Sequence, residues 1–117
     1  METVGTNTCT IDFPDLSTAD ANKMVQSLEK FLRAETEEEI TFRREKPDSA
    51  TQDFGTTLVL IFGTPVAIAL AQGIRDFVAK YGDHIRITKD GEVVAHGAAA
   101  KNLDATKLTA ARGKTTS

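Results

Sequence analysis

Apolar and polar residues alternate at two places in the first half of the chain. Residues 8–13 and 39–44 each place apolar side chains at every second position, which is the period of a half-buried β-strand. Between them, the hydroxyl of Ser17 and an acidic residue three positions later form a capping pattern. Apolar residues then recur every three or four positions to about residue 34, which predicts an amphipathic helix. In the second strand, Ile40 and Phe42 are expected to face inward.

Residues 54–74 form an uncharged stretch in a chain of which 26% is charged. Residues 57–62 within it are a continuous, β-branched apolar run, typical of a strand covered on both faces. The Thr64-Pro65 step predicts the start of a helix, because Thr caps free N–H groups and Pro fits the first helical position. We expect that helix over 65–81, ending at the next glycine. The alternative is one long apolar helix over 55–81.

Residues 85–96 carry a strong hairpin signature. Asp90-Gly91 separates two alternating runs, and a type I′ turn needs positive φ at both of its central residues. The predicted register pairs Lys89 with Glu92 and Ile87 with Val94. After the hairpin, Asn102 is expected to cap a short helix to about residue 111, anchored by Leu103 and Leu108.

The predicted order is β-α-β-β-α-β-β with a weak terminal helix. This order matches an α+β, ferredoxin-like two-layer sandwich with a C-terminal hairpin. The chain has 117 residues, which suits one domain, expected over 8–111, with flexible termini at 1–7 and 113–117. The long-helix alternative would instead give β-α-β-α-β-β.

The third predicted strand is apolar on both sides, although a helical layer covers only one face of such a sheet. The second face is therefore expected to meet a protein partner, a second copy of the chain, or residues 97–111. Four residues of the strand and the following helix are the candidate partner-binding surface: Val59, Ile61, Ile68 and Gln72.

The charge balance gives little reason to expect nucleic-acid binding. The net charge is −3, divided between an acidic first half and a mildly basic second half. A single cysteine permits no internal disulfide, and the first residues lack the pattern of a secretory signal, so a cytoplasmic protein is expected. The polar threonines, glycines and proline of residues 54–74 weigh against a membrane span, but a membrane-associated component anchored there is an alternative.

No pattern of catalytic, cofactor-binding or metal-binding residues is found. Cys9 lies on the inward side of a predicted strand, and His84 and His96 lack metal-ligand spacing. The carboxylates of residues 35–39 lack the glycine of a calcium loop. We therefore expect a protein that is not an enzyme and holds no cofactor. A small-ligand or enzyme domain on a ferredoxin-like scaffold is the alternative, since that fold hosts many functions.

The layout of the chain resembles one known family. An acidic β-α-β unit is followed by a charged loop with Pro47, a Gly/Ala-rich apolar segment (Phe54–Ala71), an amphipathic helix end (Ile74–Tyr81) and a Thr/Val hairpin (Ile85–His96). This arrangement is similar to the effector-associated constant components of bacterial conflict systems, over about residues 8–110. The resemblance implies a non-enzymatic adaptor or regulatory partner of a variable effector, such as a protease or an NTPase-linked module.

Overall fold

The computed structural model describes residues 6–36, 39–45 and 57–109. Eight regular elements and two 3₁₀ turns follow one another along the chain: β1 (Thr6–Asp12), α1 (Thr18–Glu35), β2 (Ile40–Glu45), β3 (Thr57–Gly63), a turn (Thr64–Val66), α2 (Ala67–Tyr81), β4 (Arg86–Lys89), β5 (Glu92–His96), a turn (Gly97–Asn102) and α3 (Ala105–Thr109).

The strands form one antiparallel sheet in the order β2-β3-β1-β4-β5. The first and third strands are central, and the first four strands have the order of the ferredoxin-like arrangement. The α+β, ferredoxin-like prediction is therefore confirmed, with β5 added beyond β4.

The uncharged segment breaks into a strand and a helix, so the alternative of one helix over 55–81 is wrong. Both edges of β3 are hydrogen-bonded, to β1 on one side and to β2 on the other. Pro65 lies in the 3₁₀ turn, and α2 therefore begins at Ala67 rather than at the proline. Thr64 does not cap the helix, because its hydroxyl instead accepts a hydrogen bond from Asn7 Nδ2 at 3.1 Å. Among the described helices, none is long and apolar enough to cross a membrane.

The helices pack on the face of the sheet that carries Cys9, Ile11 and Leu60. The N-terminus of α1 is capped as predicted, since Ser17 Oγ accepts a hydrogen bond from the Asp20 amide at 3.2 Å. The predicted inward residues of β2 are partly buried against the same core: Ile40 and Phe42. The largest fully buried side chains come from both layers: Phe13, Phe77, Ile11, Leu28, Leu32, Leu58, Leu60, Leu70, Ile74, Ile85, Ile87 and Leu103.

Helices α1 and α2 approach closely at Gly73. A Cβ atom at this position would lie 2.8 Å from Leu32 Cδ2, so only a glycine permits this contact without a shift. Toward the end of α2, the rings of Phe31 and Phe77 meet edge to face at 5.6 Å between centroids, and Tyr81 stacks on Phe77 at 4.6 Å. The two helices are thus held together by a glycine contact and an aromatic cluster.

The predicted hairpin is present, with one difference in register. Asp90 and Gly91 have φ values of 54° and 83°, the positive values that a type I′ turn requires. Lys89 faces Glu92 as predicted. The expected pairing of Ile87 with Val94 is wrong, because a β-bulge places Ile87 opposite Ala95.

The C-terminal segment lies in the helical layer beside α2. The predicted anchors, Leu103 and Leu108, are both buried, and Arg75 Nη1 on α2 donates to the Leu103 carbonyl at 2.6 Å. Asn102 is not the cap of α3, because Asp104 Oδ1 accepts the amide hydrogen bonds of the first turn. The described residues 97–109 therefore do not cover the opposite face of the sheet, while residues 110 and 111 of the expected 97–111 segment lie outside the described residues.

Some sequence predictions concern positions that the structure describes only in part. Of the predicted flexible termini, only Thr6 and Asn7 are described, and they belong to β1. Residues 113–117, the loop at 46–55 and two of the carboxylates of 35–39 lie outside the described residues. The prediction of one domain over 8–111 stays a prediction.

Candidate functional site

The side of the sheet that faces away from the helices is the main candidate surface. We call it the open face. Strand register and side-chain alternation place thirteen described side chains on it: Thr8, Thr10, Asp12, Thr41, Arg43, Glu45, Thr57, Val59, Ile61, Arg86, Thr88, Val93 and His96.

Most side chains of the open face are branched at Cβ. Eight of the thirteen are Thr, Val or Ile, and five of these eight are threonines. Such side chains have few rotamers, so they form a stiff surface. Val59 is only 4% exposed, whereas Val93 is 54% exposed and Thr8 is also open to solvent. The open face therefore presents apolar and hydroxyl groups to its surroundings.

The four charged side chains of the open face are paired with one another. Arg86 binds Asp12 across β4 and β1 through two hydrogen bonds, with Nη2–Oδ2 at 2.5 Å and Nε–Oδ1 at 3.1 Å. The hydrogen bonds to Asp12 raise the pKa of Arg86 above its usual value. Toward the β2 edge, Arg43 Nη2 lies 2.9 Å from Glu45 Oε2. The two pairs leave the strand residues of this face with no net formal charge.

The four sequence-predicted surface residues fall on two separate surfaces. Val59 and Ile61 lie side by side with threonines on the open face. Ile68 and Gln72 lie on α2, in the helical layer, where both are exposed and Ile68 reaches 71%. The chain therefore presents two candidate contact surfaces on opposite sides of the domain.

Cys9 is not placed to act as a nucleophile. Its side chain is 1% exposed and faces the helices. Burial raises the pKa of the thiol to about 12, although the nearby charge of Lys89 acts in the opposite direction. The thiol therefore stays protonated at neutral pH and behaves as a small apolar core group.

The histidines and carboxylates do not converge on a metal site in the described part of the chain. His84 and His96 are both exposed, and His96 lies opposite Arg86 in the hairpin. Within the described ranges, no group of three or more His, Cys, Asp or Glu side chains could hold a metal ion.

A cleft of about 480 Å³ lies beside the end of α2. Its lining comes from α2 and the segments that follow: Arg75, Val78, Ala79, Gly82, Asp83 and Lys101. Both of its cationic side chains have protein partners, because Arg75 donates to a carbonyl and Lys101 Nζ lies 4.0 Å from Asp83 Oδ2. The cleft thus offers weak grounds for a ligand site.

The sequence identified two of the three apolar residues of the open face, Val59 and Ile61, but neither the exposed Val93 nor the ion pairs of that face. The alternation that marks Cys9 as inward also marks Thr8 and Thr10 as outward, so the threonines of β1 were available from the sequence. The Asp12–Arg86 pair was not, because it requires β4 to lie beside β1, 74 positions away in the chain.

The fold and this surface define a ferredoxin-like α+β domain with an open sheet face. Comparisons of the chain with protein-family models, with curated proteins and with solved structures found no match. The surfaces of the molecule itself are therefore the basis for proposing its function.

Proposed function

We propose that this protein is a non-enzymatic adaptor that binds an effector of a bacterial conflict system through its open face. The observation that carries the proposal is a sheet face rich in Thr, Val and Ile side chains on the side away from every described helix, on which Thr8 and Val93 are exposed. The class of effector, a protease or an NTPase-linked module, comes from the layout resemblance and from the expectation of a cytoplasmic protein.

The character of the open face supports protein binding. Stiff Thr, Val and Ile side chains lose little conformational freedom when a second surface covers them. Two flat sheets, or a sheet and a helix, can pack about 10 Å apart over such side chains. The charges form two ion pairs, so a partner need not supply counter-charges for them, and the cost of covering them is the removal of the two pairs from water.

The proposal is tested by titrating the purified protein with the effector encoded beside its gene. We expect Thr8→Lys, in the middle of the open face, to weaken binding about tenfold, which corresponds to about 1.4 kcal/mol. The matched control is Gln72→Lys, which adds the same charge at an exposed site of α2 and should leave the affinity unchanged. Equal binding by both variants, or no binding by the wild type, would reject the open face as the effector site.

A further inference from the structure

We infer that, when no effector is bound, the open face is covered by the open face of a second copy of this chain. This inference rests on the proposed function, because both occupants use the same surface. It names a symmetric, reversible dimer as the resting state of the adaptor.

The neutral charge of the open face favours a second copy of the chain as its occupant. The whole chain carries a net charge of −3, so two copies have like net charges and repel each other at long range. The open face is different, because its two arginines are paired with Asp12 and Glu45 at distances of 2.5 and 2.9 Å. Two such faces can meet without an excess of either sign, whereas a strongly charged partner would find no complement there.

The central position of β1 in the sheet suits a two-fold contact between two open faces. A two-fold contact brings the same patch of both copies together, and residues near the axis meet their own counterparts. β1 is the middle strand of the five, with two strands on each side. A two-fold axis that runs between the two faces, over the centre of the sheet, therefore brings β1 against β1, and the exposed Thr8 lies near that axis. The same overlay covers the flanking strands on both copies.

The area of the open face sets the expected strength of the dimer. Five strands at about 4.8 Å spacing, each presenting about six residues at 3.4 Å, give a flat area of about 500 Å² per copy. The two copies together would bury about 1,000 Å², which is the lower end of specific protein interfaces. We therefore expect a weak dimer with a dissociation constant in the micromolar range rather than an obligate one.

The test is sedimentation velocity over about 1 to 300 µM, with Thr8→Lys, Thr8→Glu and their equimolar mixture beside the wild type. Each variant alone should raise the dimer dissociation constant about tenfold, because like charges meet near the axis. The mixture should return to within about threefold of the wild-type value, since opposite charges then face each other. Only a contact of this face with itself produces such mutual rescue.

Gln72→Lys serves as the control on the helical layer, and its dimer constant should equal that of the wild type. Thermal unfolding by circular dichroism confirms that each variant is folded. If the Thr8 variants do not fold, Thr10→Lys and Thr10→Glu provide the same charge pair at the other central outward-facing position of β1. A wild type that is monomeric at about 300 µM, a dimer insensitive to the open-face variants, or a mixture without rescue would overturn the inference.

The two proposals fail in different ways. Effector titrations are carried out at a protein concentration below the dimer dissociation constant, so they report on the monomer. A strictly monomeric protein that still binds effector through Thr8 would reject the dimer and retain the adaptor. A dimer that shows mutual rescue but binds no effector would reject the adaptor and retain the dimer.

Discussion

Substitution of Gly73 tests the account of how the two helices meet. In an isolated helix, Gly73→Ala should stabilise by about 1 kcal/mol, because Gly has the poorer helix propensity. In this fold the added Cβ would lie 2.8 Å from Leu32 Cδ2, whereas ordinary contacts begin near 3.4 Å. Leu32 is fully buried, so it cannot move without disturbing its neighbours. Overpacking of this kind costs about 1 to 3 kcal/mol.

The cost of overpacking minus the gain in helix propensity decides the sign of the change in stability. We expect Gly73→Ala to lower the free energy of unfolding by about 1 kcal/mol, and the melting temperature by about 4 °C for a domain of this size. Urea unfolding followed by circular dichroism measures the change, with an unchanged m-value as the sign that only stability has moved.

A double-mutant cycle with Leu32→Ala isolates the contact. Leu32→Ala alone should cost about 2 to 5 kcal/mol by leaving a cavity. In the Gly73→Ala background it should cost at least about 1 kcal/mol less, since the alanine methyl occupies part of that cavity and the clash is gone. A stabilising Gly73→Ala with no coupling to Leu32 would show that the helices do not approach as described.

Three further changes test the electrostatic and core contacts. Burial raises the pKa of the Cys9 thiol from 9.0 to about 12. The stability that the buried neutral thiol contributes is therefore fully present below pH 9 and is lost as the pH rises toward 12. In urea unfolding, the wild type should lose about 2 kcal/mol more than Cys9→Ala between pH 9 and 11. Burial opposes ionisation of Glu29, but hydrogen bonds from Arg33 and Arg44 lower the pKa of its carboxyl below 4.5. Glu29→Gln should therefore cost about 1 kcal/mol at pH 7, and the difference from wild type should shrink as the pH falls below 4.5. Asp12→Asn should cost about 1 kcal/mol in low salt and less in 1 M salt, and an equal cost in both would contradict a charge-based role for the Arg86 pair.

Local patterns were sufficient to predict most of the fold. The Ser17 cap, the inward face of β1 and the Asp90-Gly91 turn each depend on neighbouring residues, and each is present in the structure. The errors have both distant and local causes. Thr64 was expected to cap a helix, but its hydroxyl accepts a hydrogen bond from Asn7, 57 positions away. Two other errors are local, because a bulge within the hairpin moves Val94 out of its expected register and Asp104 replaces Asn102 as the cap of α3.

The candidate surface was predicted only in part, for a similar reason. The two-sided apolar character of β3 can be read from Val59 and Ile61, and it led correctly to the question of what covers the second face. Grouping Ile68 and Gln72 with them assumed that strand and helix contribute to one surface. In a two-layer sandwich the helix lies on the far side of the strand, so these residues separate.

The distribution of exposure over the open face also explains why its contacts should be reversible. Val59 is only 4% exposed in the single chain, with Thr10 and Arg43 opposite it in the neighbouring strands. Its apolar surface therefore already stabilises the monomer, and a partner gains little by covering it. What remains for a partner is mainly threonine methyl groups and Val93. A surface of this kind supports weak exchange between partners, and Thr8 is a better position than Val59 for separating binding from stability.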